Sequence, residues 1–176
     1  MKFHPTTLKD AVLIDLERRG DDRGFFARTF CADEFAANGL PTEFVQQNMS
    51  YSATKGTIRG MHFQRAPHAE DKLIRCLRGA IVDIILDLRP DSPTYKQWEA
   101  FELNDENKRQ LLVPKGFAHG FQTVSDHVEV TYLVSSRYNG AAEGGVRWND
   151  PAFGITWPLA PTEMSDKDKQ WADFAG

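Results

Sequence analysis

Four short stretches of the chain concentrate side chains that can move a proton or hold a charge. Thr57-Ile-Arg-Gly-Met-His-Phe-Gln64 carries Arg59 and His62 on what reads as a strand. Alternation places Arg59, Met61 and Phe63 on one face and Ile58, His62 and Gln64 on the other. Pro114-Lys-Gly-Phe-Ala-His-Gly-Phe121 sets His119 between two glycines, and Lys72 opens a long apolar region. Ser165-Asp-Lys-Asp168 has the capping-box form, which by itself accounts for Asp168 as a helix-start residue. Each stretch also has a plain structural reading. A lone His among apolar neighbours suits a half-buried core position, a Lys at a strand start suits solvent, and paired glycines suit a tight turn. Together the residue types are those of acid–base chemistry, since an imidazole can take and release a proton near neutrality.

The elements that must position them are mostly strands. Ala11–Leu16 is β-prone, Asp21–Gly24 is a turn, and Phe25–Phe30 reads as a second strand. Ala32–Asn38 is a short helix, stopped by Gly39 and Pro41. Glu43–Ser52 is polar but strand-like, and Lys55-Gly56 and Arg59-Gly60 bracket a bend before Met61–Gln64. The apolar region Leu73–Leu88, broken at Arg78-Gly79, reads as a hairpin whose second arm has an apolar face (Val82, Ile84, Leu86, Leu88) and a mixed one. Further strands are expected at Lys96–Leu103, Gln110–Val113, Ala118–Val124 and Val128–Ser135. The last of these puts Val128, Val130, Tyr132 and Val134 on one face. The tail from Leu159 is turn-rich and ends in a short polar helix. Short strands separated by Gly, Pro, Asn and Asp turns indicate an all-β sandwich or barrel with a few short helices.

Length and charge narrow the rest. At 176 residues one domain, 1–176, is expected. A net charge of −4 disfavours the broad basic surface that duplex binding needs, so no nucleic-acid partner is expected. No apolar run approaches membrane-spanning length, and the first residues lack the apolar core of a secretory leader. Cys31 and Cys76 are isolated, with no C-x-x-C, which fits a reducing cytosol and a cytoplasmic location. GxGxxG, P-loop and G-x-S-x-G motifs are absent, and with them any support for dinucleotide, ATP or α/β-hydrolase chemistry.

Pro114-x-Gly116-x-x-His119 resembles the second short signature of the cupin barrel. The first signature would supply H-x-H and then Glu as metal ligands. Here it reads His62-Phe-Gln64 with Glu70 following, and a neutral amide is a poor substitute for imidazole at a transition metal. The resemblance is wider than these two signatures. Asp22-Arg-Gly-x-Phe26, Gln47-Asn-x-Ser50, Gly56-x-x-Arg-Gly-x-His62, Lys72-Leu, Asp87-x-Arg89, Ser92-Pro-Thr94, Gly116-Phe-Ala-His-Gly-Phe121, Tyr132, Tyr138, Trp148-Asn-Asp-Pro151, Trp157-Pro158 and Ser165-x-Lys-Asp168 follow in order. From Asp21 to about Asp168 the chain resembles the dTDP-4-dehydrorhamnose 3,5-epimerase family.

That resemblance implies a cupin jelly-roll barrel without metal or organic cofactor, forming a homodimer with exchanged N-terminal strands. It implies a nucleotide-linked 4-keto-6-deoxyhexose as substrate. The reaction would be proton removal beside the ketone and return of a proton to the opposite face. Such chemistry needs a base, a stabiliser for the enolate oxygen and an acid. By carry-over His62 is the base, Asp168 orients it, Lys72 stabilises the enolate and Tyr132 supplies the proton. Arg23 and Arg59 match diphosphate-binding positions, and Gln47, Asn48 and His119 match contacts to nucleotide, sugar or phosphate oxygens. Phe26 and Tyr138 match aromatic contacts to the base, and Glu143 and Lys167 further binding positions. A local cluster of such cations is compatible with a globally acidic chain.

Two departures stand out. The family commonly has Glu where this chain has Arg28, leaving open whether the base is thymine or another. The usual Gln-x-Lys reads Glu70-Asp71-Lys72, adding carboxylates that could pair with Lys72. A 3,4-ketoisomerase on the same barrel, a non-catalytic sugar-nucleotide-binding module and a metal-dependent cupin dioxygenase are the alternatives.

Overall fold

The structure, a computed structural model, describes residues 1–175. Its strands in chain order are β1 (Lys2–Pro5), β2 (Val12–Asp15), β3 (Arg19–Asp21), β4 (Gly24–Phe26), β5 (Gln46–Ser52), β6 (Ile58–Gln64), β7 (Lys72–Arg78), β8 (Ala80–Asp87), β9 (Trp98–Asn104), β10 (Gln110–Val113), β11 (Phe117–Thr123), β12 (Val128–Val134) and β13 (Glu143–Gly145). Two short helices, α1 (Ala32–Ala37) and α2 (Asp166–Lys169), complete the described elements. The all-β expectation holds. The strands form a six-stranded sheet, β1-β2-β10-β7-β12-β5, and a five-stranded sheet, β13-β6-β11-β8-β9, with β3 and β4 as a separate ribbon.

The sheets face each other as a jelly roll. Ile74, Cys76, Leu111, Val128 and Val130 from the first sheet meet Ile81, Ile85, Phe101, Leu103 and Phe121 from the second in one buried cluster. The outer face of the five-stranded sheet is covered too, where Ile84 and Leu86 pack with Met61, Val146, Phe153 and Ile155. On the outer face of the other sheet α1 closes one end, its Phe35 meeting the edges of Phe3, Phe30 and Phe44. No helix among the described residues is long and apolar enough to cross a membrane.

The apolar region expected to be a hairpin is instead a crossing between sheets. β7 pairs with β10 and β12, whereas β8 pairs with β11 and β9. The chain passes from one layer to the other at Gly79, which takes φ +73 where a Cβ would lie 2.5 Å from Ser125 Oγ. A near-continuous apolar run is what a strand buried on both faces requires, and it resembles a hairpin arm in sequence. The second expected strand is also shorter: β4 ends at Phe26, and residues 27–30 have no regular structure. The tail helix lies within the tail rather than at its end.

The polar motif Asp87-x-Arg89 with Ser92-Pro-Thr94 is scaffold. Asp87, with no exposed surface, accepts hydrogen bonds from Arg89 Nε (2.9 Å), Ser92 Oγ (2.6 Å) and Thr94 Oγ1 (2.7 Å). Burial would raise this carboxyl, but those bonds outweigh it and hold the pKa at about 2. The ionised form is therefore stabilised by folding. Its contribution, about 2 kcal/mol at neutral pH, is lost as pH falls from about 4 towards 2. Asp87→Asn should lower the neutral-pH stability and flatten the acid limb in urea titrations between those values; an unchanged acid limb would remove Asp87 from the account.

Candidate active site

A cavity of about 480 Å³ opens between the two sheets and is capped by the tail that carries α2. Arg59 and His62 enter it from β6, Lys72 from β7, His119 from β11 and Tyr132 from β12, while Lys167 and Asp168 reach it from α2. His62 and Tyr132 therefore line one cavity from opposite sheets.

Alternation alone would have set Arg59 on the face opposite His62. A bulge in β6 reverses this. His62 pairs with His119 and Arg59 with Phe121, so the two residues Gly60 and Met61 stand opposite Gly120. The extra residue shifts the parity, and Arg59 joins His62 in the cavity while Met61 is fully buried behind it. Gly60 permits the bulge: it has φ +132, and a Cβ there would come within 2.5 Å of Gly120 Cα. The Arg59-Gly60 bend expected ahead of the strand is thus a bulge inside it.

His62 Nε2 lies 2.6 Å from Asp168 Oδ1. Facing a carboxylate, Nε2 carries the ring proton, which leaves the lone pair on Nδ1. Asp168 is 3% exposed, and its second oxygen accepts the Gly60 N–H at 3.3 Å. Burial would raise its carboxyl, but the hydrogen bond and charge of His62 and the bonds from Gly60 and Ser165 together hold it below the usual carboxylate range. The capping-box reading is also half right. The Asp168 N–H donates to Ser165 Oγ at 3.1 Å, while the carboxylate turns away to the imidazole.

His119 forms a parallel pair, with Nε2 2.9 Å from Oδ2 of the fully buried Asp83. Burial pushes the Asp83 carboxyl up. Lys72 Nζ is 2.9 Å from Glu70 Oε1, so the carboxylate unusual in the sequence does pair with the lysine; Asp71 instead accepts from Lys115 N–H and Ser135 Oγ. Arg59 is tied by Nε to Ser52 Oγ (3.0 Å) and by Nη2 to the Tyr51 carbonyl (2.9 Å). The Tyr132 phenol is raised, chiefly by burial and then by the negative charge of Glu70.

A second lobe of about 270 Å³ shares His62, Lys72 and Tyr132 with the cavity between the sheets and adds Gln46, Asn48, Gln64, Glu70, Tyr138 and Glu143. Tyr138 Oη donates to Glu143, which also pairs with Lys167. Burial would raise Glu143, but the bond from Lys167 keeps it low. Asn48 belongs here, but Gln47 does not. Neighbours on a strand point to opposite sides, so Gln47 faces outward with Met49 and Tyr51, and Gln46 and Ser50 take the inward places. Period-two parity from Asn48 would have found both; Asp83 carried no such signal.

Arg23, Phe26 and Arg28 line neither lobe. Arg23 pairs with Asp21 on the β3–β4 ribbon, Phe26 is 70% exposed, and Arg28 Nη1 donates to Glu34 at 2.9 Å. Among the described residues no three His, Cys, Asp or Glu side chains converge as metal ligands. Gln64, in the position where a cupin would place a ligand, spends its amide on Glu70, the His68 and Arg137 carbonyls and the Asn139 N–H.

Residues 5–176 match the family model described as dTDP-4-dehydrorhamnose 3,5-epimerase. A protein of that name from Methanothermobacter thermautotrophicus is 42% identical over 173 residues, covering 97% of this chain and 92% of its own. A dTDP-4-dehydrorhamnose 3-epimerase from Streptomyces niveus is 38% identical over 96% of this chain and 82% of its own. The crystal structure of the 3,5-epimerase from Bacillus anthracis, with TDP and PPi bound, superposes with a TM-score of 0.95 at 47% identity, covering 98% of this chain and 99% of that one.

Proposed function

The chain belongs to the dTDP-4-dehydrorhamnose 3,5-epimerase family, and from that premise we propose that it epimerises a dTDP-linked 4-keto-6-deoxyhexose at C3, C5 or both. The observation that carries the reading is the placement of His62 and Tyr132 on facing sheets across one cavity. Epimerisation needs a base on one face of the sugar and an acid on the other. His62, its tautomer held by Asp168, takes the proton from the carbon beside the ketone. The charge moves to the ketone oxygen, where the Lys72 ammonium stabilises the enolate. Tyr132, kept protonated by burial, returns a proton from the opposite wall. Arg59, His119 and Lys167 supply donors for the anionic and polar parts of the substrate. Asn48, Tyr138 and Glu143 serve in the second lobe.

The remaining binding residues suit completion by a second copy. Phe25, Phe26, Met49 and Tyr51 are large, apolar or aromatic, and exposed, and β5 is an edge strand of its sheet. A homodimer with exchanged N-terminal segments would cover these surfaces and carry Arg23, Phe26 and Arg28 to the partner's cavity. Residues 1–176 would act as one cupin-type domain. A cytoplasmic location agrees with two free thiols, Cys76 being pushed up to about 12 by burial and so unreactive.

The test is incubation in heavy water with dTDP-, CDP- and GDP-linked 4-keto-6-deoxyhexoses, with NMR to locate deuterium. The expected result is deuterium at each inverted carbon of the dTDP sugar and a ketone still at C4. A ketone moved to C3 would indicate a ketoisomerase, and no exchange with any substrate would reject the epimerase.

A further inference from the structure

Glu70 sits inside the candidate site without a part in the proposed proton transfers. Its side chain is 12% exposed and that of Lys72 11%, so their 2.9 Å ion pair is largely withdrawn from water. Its other oxygen, Oε2, accepts Gln64 Nε2 at 3.0 Å. Gln64 is itself 6% exposed and cannot turn. Its Oε1 must meet the Asn139 N–H at 2.7 Å, which forces the NH₂ group towards Glu70 and the His68 carbonyl. Both carboxylate oxygens are thus committed to fixed donors. A buried amide holds a carboxylate, and the carboxylate holds the ammonium. Lys72 lines both lobes, as do His62 and Tyr132, so this chain of contacts ends where the lobes meet.

Building on the epimerase reading, we propose that Glu70 is a positioning residue: clamped by Gln64, it fixes the Lys72 ammonium at the junction of the two lobes and keeps a negative charge in the lobe that Tyr132 also lines. An ammonium on a four-carbon stem has many rotamers, and an enolate is stabilised only by a charge already in place. The negative charge also disfavours tyrosinate, so Tyr132 keeps its proton to higher pH, in the direction of its shift. The other ionisable groups around the junction are Arg59 and His62 on β6, Lys72 on β7, Asp83 on β8, His119 on β11, Tyr138 and Glu143 of the second lobe, and Glu163, Lys167 and Asp168 of the tail that carries α2. Of these, Arg59 acts on Tyr132 in the opposite sense to Glu70.

Two variants separate charge from reach. Glu70→Gln keeps the shape and removes the charge. It should lower the Tyr132 midpoint in an ultraviolet tyrosinate titration, read as the difference from the same protein carrying Tyr132→Phe, by about half a pH unit. The alkaline limb of kcat should move down with it. Glu70→Asp keeps the charge but withdraws it from Lys72. It should leave the tyrosinate midpoint near that of the wild type and lower kcat about tenfold, with KM changed far less. Superimposable titrations of wild type and Glu70→Gln, or full kcat in Glu70→Asp, would overturn the proposal. If the wild type turns over no sugar nucleotide, the epimerase reading fails, while the tyrosinate titration still decides the role of Glu70.

Discussion

Replacing His62 with asparagine is expected to lower turnover about 10³-fold, with the folded state intact. Asparagine fits within the space of the imidazole, so the β6 bulge need not change, although its amide ends level with Nδ1 and gives up the 2.6 Å contact that Nε2 makes with Asp168. What it lacks is a basic lone pair. Of the other candidate bases beside the cavity, Lys72 is paired with Glu70, and His119, bound through Nε2 to Asp83, has a binding role in the proposed reaction. The same variant should stop deuterium uptake from heavy water, because exchange and epimerisation share the first proton removal. Both quantities come from one NMR time course, and melting curves check the fold. Exchange persisting at the wild-type rate would remove His62 as the base.

Tyr132→Phe should uncouple the two halves of the reaction. The base wall is untouched, so His62 still removes a proton and returns one from solvent on the same face. Deuterium should enter the substrate at a rate within about tenfold of wild type, while inversion falls about 10²-fold or more. Phenylalanine preserves the packing of Tyr132 against the buried Val128 and Val130 cluster, so the loss reports the hydroxyl. The hydroxyl suits donation because burial and the Glu70 charge raise its pKa and keep it protonated at neutral pH. A parallel fall of exchange and inversion would show that Tyr132 does not act on the second face alone.

Both experiments address residues that are legible in the amino-acid sequence. His62, Lys72, Tyr132 and Asp168 stand in motifs, and the strand bearing Tyr132 has a two-residue period that places it among buried valines. Strands β10, β11 and β12 follow expectation closely because alternation and turn residues are local properties of the chain. Asp168 is less legible. Its neighbours explain it as a cap, and only contact with a residue 106 positions away reveals the second role.

Residue types, their order and most strand limits were thus determined by the sequence itself, since each depends on neighbours a few positions away. Tertiary structure decided how those pieces face one another. It sent β7 and β8 into different sheets, because an apolar run suits any strand covered on both faces. It brought Arg59 to the side of His62, because one extra residue opposite Gly120 inverts parity. It chose Asn48 over Gln47, because adjacent side chains on a strand cannot share a face. And it set His62 and Tyr132 on opposite walls, since that relation exists only once two sheets close over a common core.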